Sequence, residues 1–362
     1  MKKTILLMLI LLAASAFGAQ SSETPVSKTP SKPEATANED TTLAAPTFIV
    51  NPAQLPKKLH LIAYGDIRFM DTREKDASHP AERQAIVAKI AEEKPDALLI
   101  SGDIPYRGAF KMDWEVMHAE TKIWRDEKLR IYPALGNHEL ARGEKEGLEN
   151  FWAEFPELNG KRWYSVEFGN VYIIALDSDT AEDPASPQRR WLEAQLSHLP
   201  KTSNFVILFD HHPPYTGSDN QHGHAARMGE MELGKYLQDT QAKIPQKILM
   251  ISGHVHQYER FEHGGVTFIV SGGGGAQPYL YPPSKDDKYG HTQEPNFHYM
   301  DITVDGHDLQ AKMMKLMSIG ADGKGTFEEK DRVELKADAA TEKKQAKSVK
   351  PARKKTKQES AK

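Results

Sequence analysis

Five apolar runs in this chain each end in residues able to bind a metal ion. They are LHLIAYGD, ending at Asp66; DALLISGD, at Asp103; IYPALGNHE, at Asn137, His138 and Glu139; FVILFDHH, at His211 and His212; and KILMISGHVH, at His254 and His256. A lone Asp or His behind a strand is as readily a turn cap or a satisfied core residue. Five in succession, each just past an apolar run, point to a site on the C-terminal edge of an α/β sheet. Asp66 and Asp103 offer hard carboxylate oxygens, Asn137 a neutral amide oxygen, and His211, His254 and His256 imidazole nitrogens. That mixture suits iron, manganese or zinc. It exceeds what one ion needs and suits two neighbouring ions that share a carboxylate. There is no cysteine, which excludes disulfides, thiolate-held zinc and a thiol nucleophile.

The elements that must position these residues alternate. Strand 59–65 precedes a helix opened by Pro80 and running to about Glu93. Strand 97–101 precedes a helix around 112–126, and strand 131–135 one around 144–155. Residues 163–168 and 171–177 form a hairpin turned at Gly169-Asn170. Helices around 187–198 and 229–239 lead into strands 205–210 and 247–252. After Gly253 the pattern turns β-rich, with runs at 266–271, 299–304, 309–316 and 332–335 and a turn at Asp305-Gly306. Repeated βα units followed by a meander predict an α/β fold: a four-layer αββα sandwich of two mixed sheets flanked by helices. His254 and His256 are two apart and would share a face of a regular strand, so to reach different ions the chain must leave the strand at Gly253.

The series GD…GDxxY…GNHE…HHP…GHVHQYER resembles the calcineurin-like metallophosphoesterase superfamily over roughly residues 58–320. Within it, the pattern is similar to the purple acid phosphatases. The superfamily usually opens with Asp-x-His, but here the residues are Asp66-Ile67-Arg68, and a guanidinium cannot replace imidazole as a ligand. In purple acid phosphatases a tyrosine three residues after the second aspartate makes good that loss, and Tyr106 stands there. The resemblance implies one ion held by Asp66, Asp103, Tyr106 and His256. It implies a second held by Asp103, Asn137, His211 and His254, with iron in one site and iron, zinc or manganese in the other. The first set is anionic and tolerates a trivalent ion, whereas the second suits a divalent one. The implied reaction is hydrolysis of a small phosphate monoester by metal-activated hydroxide. His138 and His222 are the expected proton donors to the leaving group. Arg68, His138, His222 and His224 are the expected substrate contacts, with Arg68 otherwise able to pair with Asp71 or Glu74. Glu139 is read as orienting His138, and His212 as supporting the site. Tyr215, Tyr279, Tyr281 and His291 fall in the loops expected to set specificity.

The termini carry separate signals. Residues 1–18 read as a signal peptide, with Lys2 and Lys3 before a short apolar core. Export to a periplasm or the exterior follows, with no membrane span after cleavage. Residues 19–54 read as a disordered spacer, residues 55–335 as the catalytic domain, and residues 336–362 as a disordered basic tail. Net charge is −4, yet residues 341–362 hold nine Lys or Arg against two Glu. The whole chain is therefore no specific nucleic-acid binder, while its tail could touch anionic envelope polymer or lipid. Two other functions use the same features: a phosphodiesterase or nucleotide hydrolase on the same metal pair, and a non-catalytic envelope-binding module acting through the tail.

Overall fold

The computed structural model describes residues 43–71, 73–74, 77–219, 224–290 and 292–338. The described elements run β1 (Phe48–Ile49), β2 (Lys58–Tyr64), α1 (Pro80–Glu93), β3 (Ala97–Ile100), α2 (Lys111–Glu120), α3 (Lys122–Asp126) and β4 (Ile131–Pro133). They continue with α4 (Glu144–Glu154), β5 (Tyr164–Phe168), β6 (Val171–Ala175), α5 (Pro187–Ser197), β7 (Phe205–Phe209), α6 (Met228–Gln241) and β8 (Lys247–Ser252). The chain closes with β9 (Tyr258–His263), β10 (Val266–Ser271), β11 (His298–Asp305), β12 (Asp308–Ile319) and β13 (Gly325–Lys336).

Two mixed sheets result. One has the order β1-β5-β6-β7-β8-β10-β9, the other β13-β12-β11-β2-β3-β4. In the first, β6, β7, β8 and β10 are parallel. In the second, β2, β3 and β4 are parallel. The layers follow from side-chain alternation along the buried strands. On β7, Phe205, Ile207 and Phe209 join the large core shared with β2, β3 and β11. Val206 and Leu208 join a second core with Trp191 and Leu192 of α5 and Leu233 and Leu237 of α6. Near-continuous apolar runs such as ALLI and FVILF are thus buried on both faces, as parallel strands under helices must be. The four-layer expectation holds.

The differences from the sequence reading are local. The helix expected over 112–126 is divided at Thr121, whose hydroxyl donates to the Met117 carbonyl (2.7 Å). The last strand begins at Gly325, seven residues before the expected start, and pairs along β12 through bulges. The spacer expected over 19–54 is ordered in its described part: β1 pairs with Val166 and Glu167 of β5, and Thr47 donates to Ser165 Oγ (3.1 Å). The tail expected from 336 is likewise held at its start, since Ala337 is buried and donates to the His307 carbonyl (2.9 Å). The expected signal peptide, the rest of the expected spacer and residues 339–362 lie outside the described residues. Among the described residues no helix is long and apolar enough to cross a membrane.

For the site, what matters is where the parallel strands end. The loops after β2, β3 and β4 carry Asp66, Asp103 and Asn137, and those after β7 and β8 carry His211, His254 and His256. One edge of each sheet therefore contributes to a common centre.

Candidate metal centre

Backbone geometry first sets where these side chains begin. Asp66 (φ 57°), Asp103 (φ 55°) and His254 (φ 68°) occupy the left-handed region, as does Arg68 (φ 54°). Each such residue costs about 1–3 kcal/mol and persists only where its surroundings enforce it. Here three expected ligands share that strain. The break expected at Gly253 is present, because β8 ends at Ser252. However, His254 itself takes the unusual φ. Gly253 is required for a different reason: a Cβ there would stand 2.5 Å from Asp66 Oδ2 and 3.0 Å from the Ser101 carbonyl.

One group of donors gathers around His211. Its Nδ1 lies 2.9 Å from the Ser101 carbonyl, to which it donates, so Nε2 is the nitrogen turned to the other donors. That Nε2 is 3.0 Å from Asn137 Oδ1 and 3.2 Å from Asp103 Oδ1. His254 Nδ1 is 3.1 Å from Asn137 Oδ1 and 3.3 Å from His211 Nε2. Donor atoms of His211, Asn137, Asp103 and His254 therefore crowd around one point. Such crowding fits a cation at their centre. An ion about 2.1 Å from each donor leaves neighbouring donors roughly 3.0–3.4 Å apart.

The second group is Asp66, Asp103 and His256, with one ligand atom of each within 4.8 Å of the others. His256 Nδ1 lies 2.6 Å from the Gln277 carbonyl, so Nε2 is again the ligating atom. That Nε2 is buried, makes no hydrogen bond, and lies 3.3 Å from Asp66 Oδ1. An orphaned buried nitrogen among carboxylates is what a metal would satisfy. The His254 amide donates to both Asp66 oxygens (3.1 and 2.9 Å) and fixes that carboxylate. Asp103 belongs to both groups, and a shared carboxylate is the feature two adjacent ions need. The residues present fit a pair of ions.

Tyr106 lies beside this centre. Its ring stacks on His138 (5.2 Å, 26°), and the Arg68 guanidinium sits 5.8 Å from its centroid. Arg68 does not pair with Asp71 or Glu74. Asp71 binds Arg73, and Glu74 lies 3.4 Å from Arg107. Instead Arg68 Nη2 donates to Asp103 Oδ2 (3.3 Å). His138 is held by donation from Nδ1 to the Tyr106 carbonyl (2.6 Å), which leaves Nε2 toward the centre, 3.9 Å from Asp103 Oδ2. Glu139 does not orient His138. Its buried carboxylate accepts the backbone N–H groups of Gly136 (2.7 Å), Asp103 (3.0 Å) and Ile104 (2.7 Å), tying the second and third ligand loops together.

His224 stands against a ligand, with Nδ1 3.1 Å from His254 Nε2. His222 and His291 lie outside the described residues. His212 is gathered with His211 and His254, and its Nδ1 is engaged by Ser178 Oγ (2.8 Å). Among the described specificity candidates only Tyr279 reaches the centre, stacking on His256 (4.0 Å, 17°) and His224 (4.3 Å, 20°). Tyr281 is buried in the core under α5 and α6, and Tyr215 packs on Phe268 (4.8 Å) and His263 (4.4 Å). The carbonyls of Ser101, Tyr106 and Gln277 were not readable in the sequence. A backbone acceptor has no residue-type signature.

The electrostatics are those of a cation site. Burial alone would raise the Asp103 carboxyl, but His138, His211 and Arg68 hold it well below the usual carboxylate range. Burial alone would lower the His211 imidazole, but the Asp103 and Asp66 carboxylates outweigh it and push it up to about 9. His254, buried beside His211 and His212, is driven well below its ordinary value. A metal entering the His211 group therefore displaces a proton. Below pH 9 the proton competes, so affinity should rise by up to about tenfold per pH unit between pH 6 and 8. Competition titrations with a chromophoric chelator at pH 6, 7 and 8 measure this. A flat profile would contradict proton displacement from His211.

Comparison with known proteins agrees with this geometry. A purple acid phosphatase 18 from Arabidopsis thaliana is 29% identical over 220 residues, 52% of this chain and 45% of that protein. An Fe(3+)-Zn(2+) purple acid phosphatase 12 from the same plant is 31% identical over 141 residues, 35% of this chain and 28% of that one. The chain thus spans less than half the length of these relatives. A purple acid phosphatase structure from yellow lupin shares the fold, with TM-score 0.63 at 19% identity over 80% of this chain and 56% of that one. The calcineurin-like phosphoesterase model matches residues 59–258, more than half of the 362-residue chain. By that match, and by two donor groups joined at Asp103 on the edges of two stacked sheets, the chain belongs to the calcineurin-like phosphoesterase family.

Proposed function

We propose that this chain is an exported two-metal phosphoesterase that hydrolyses small phosphate monoesters in the manner of a purple acid phosphatase. The observation that supports it most is the double group of donors, Asp66–Asp103–His256 and Asp103–Asn137–His211–His254, with one carboxylate common to both. Two ions of iron, zinc or manganese would be held there. When bound they supply an activated water and neutralise charge on the phosphoryl oxygens.

The chain's own residues have distinct tasks. Asp66 and Asp103 are fixed by backbone amides before any ion arrives. His211 and His256 are each locked in one tautomer by a carbonyl, so no side-chain reorganisation is needed on loading. His138 presents Nε2 at the rim, where a leaving oxygen needs a proton. Burial lowers its imidazole below the ordinary value, against the pull of Asp103. Its protonated, donating form is therefore populated in acid, which favours an acid optimum. His222 remains a second candidate donor, while Arg68 and His224 are substrate contacts in this reading. Contact of the basic tail with anionic polymer or lipid belongs to the same proposal.

Hydrolysis of an aryl phosphate monoester and the matching diester by the metal-loaded chain tests the reading. Monoester turnover is expected to dominate. Turnover of the diester alone would favour the phosphodiesterase alternative, and turnover of neither the envelope-binding one. His138→Ala should lower kcat by about 10²–10³-fold, more for alkyl than for aryl leaving groups, with metal content unchanged. Equal losses on both substrates would remove His138 from the proton-donor role.

A further inference from the structure

We infer that Arg68 sets the charge of the Asp66–Asp103–His256 group so that it takes a divalent rather than a trivalent ion. The inference rests on the two-ion reading above and reaches beyond it to the ion's charge.

Arg68 is anchored where it stands. The Ile67 and Arg68 amides both donate to the Asp103 carbonyl (2.9 and 3.0 Å). The Arg68 carbonyl in turn accepts from Arg83 Nη1 (3.0 Å), and Arg83 is buried and paired with Glu120 (2.7 Å). The Arg68 side chain is 11% exposed and directs Nη2 to Asp103 Oδ2, opposite the oxygen that faces His211. A second guanidinium, Arg107, lies 5.5 Å from the Tyr106 ring but is committed to Asp113 (2.8 Å).

The charge count then changes. Asp66 and Asp103 supply two negative charges, and Asp103 shares its own with the second group. Arg68 does not deprotonate and cancels one of them. A trivalent ion is therefore left less compensated there than a divalent one. Arg68 Nη2 lies 3.3 Å from Asp103 Oδ2, so its charge would act on an ion held by that carboxylate across roughly 5 Å. At an effective dielectric of about 20, its repulsion discriminates against the extra unit of charge by a factor on the order of 100.

The test loads the full chain and its R68G and R68K variants with Fe(III), Zn(II) or Mn(II) against a weak competing chelator. Retained metal and visible absorbance are read. Glycine suits the left-handed φ of 54° at this position, so R68G relieves strain rather than creating it. Wild type and R68K should retain divalent ions and show no phenolate-to-iron absorption. R68G should raise the Fe(III)-to-Zn(II) retention ratio about 100-fold and gain that absorption. An unchanged ratio in R68G, or Fe(III) held with its absorption in wild type, overturns the inference alone. A single ion in every variant overturns the two-ion reading and this inference with it.

Discussion

Asp103→Ala is expected to release both metal ions and to lower kcat/KM on a phosphomonoester by about 10⁴-fold or more. The Asp103 carboxylate belongs to both donor groups. Its Oδ1 faces His211 Nε2 (3.2 Å) and accepts from the His138 amide (3.0 Å), while Oδ2 faces Arg68 (3.3 Å). Removing it takes a ligand from each ion. It also leaves the Arg68 guanidinium and the His211 imidazole without the carboxylate that compensates them. Breaking one partner out of a buried charged network costs about 3–5 kcal/mol, so thermal stability should fall together with metal content. Asp103→Asn keeps the shape and separates the effects: it should spare part of the stability and still lose the ions. Elemental analysis, steady-state kinetics and thermal melts measure the three consequences. Two ions retained by Asp103→Ala would mean that Asp103 does not join the groups.

Gly108→Ala should be the most destabilising small substitution, by about 4 kcal/mol or more, with the melting temperature lowered by roughly 8 °C or more. A Cβ at Gly108 would stand 1.7 Å from the Glu139 carbonyl oxygen and 2.3 Å from its carbon. Both are backbone atoms, which cannot rotate away. The Gly108 carbonyl is also fixed from the other side, by Trp114 Nε1 (2.7 Å) and Asn150 Nδ2 (2.9 Å). Displacing Glu139 would loosen the amides of Gly136, Asp103 and Ile104 that its carboxylate holds, so metal affinity should weaken as well. Gly160→Ala is the control. Nothing lies within 4 Å of its added Cβ, and only the strain of φ 75° remains, about 1–2 kcal/mol. A loss at Gly108 no larger than at Gly160 would contradict the clash with Glu139.

The sequence revealed the strands and their ligands for one physical reason. Buried parallel strands must be apolar throughout, and a polar residue directly after such a run has only the sheet edge to occupy. Asp66, Asp103, Asn137, His211, His254 and His256 were therefore legible, and the structure brings them together. What the sequence could not show was partnership across the fold. Arg68 had acidic neighbours at Asp71 and Glu74, but its left-handed backbone turns it to Asp103 instead. Glu139 follows His138 in sequence yet serves three amides on two loops. Tyr279 and Tyr281 are two apart, yet one stacks at the centre and the other is buried in a core. Such choices are made by tertiary packing, which local pattern does not encode. The short β1 was hidden similarly, because two residues, Phe48 and Ile49, give no periodicity to detect.

The central claim is that one shared carboxylate organises two ions. Its most direct test is the metal content of the full chain after saturation with Zn(II) and gel filtration, with Asp103→Ala measured in parallel. The account predicts about two equivalents in the wild type and none in the variant. One equivalent or none in the wild type would contradict it.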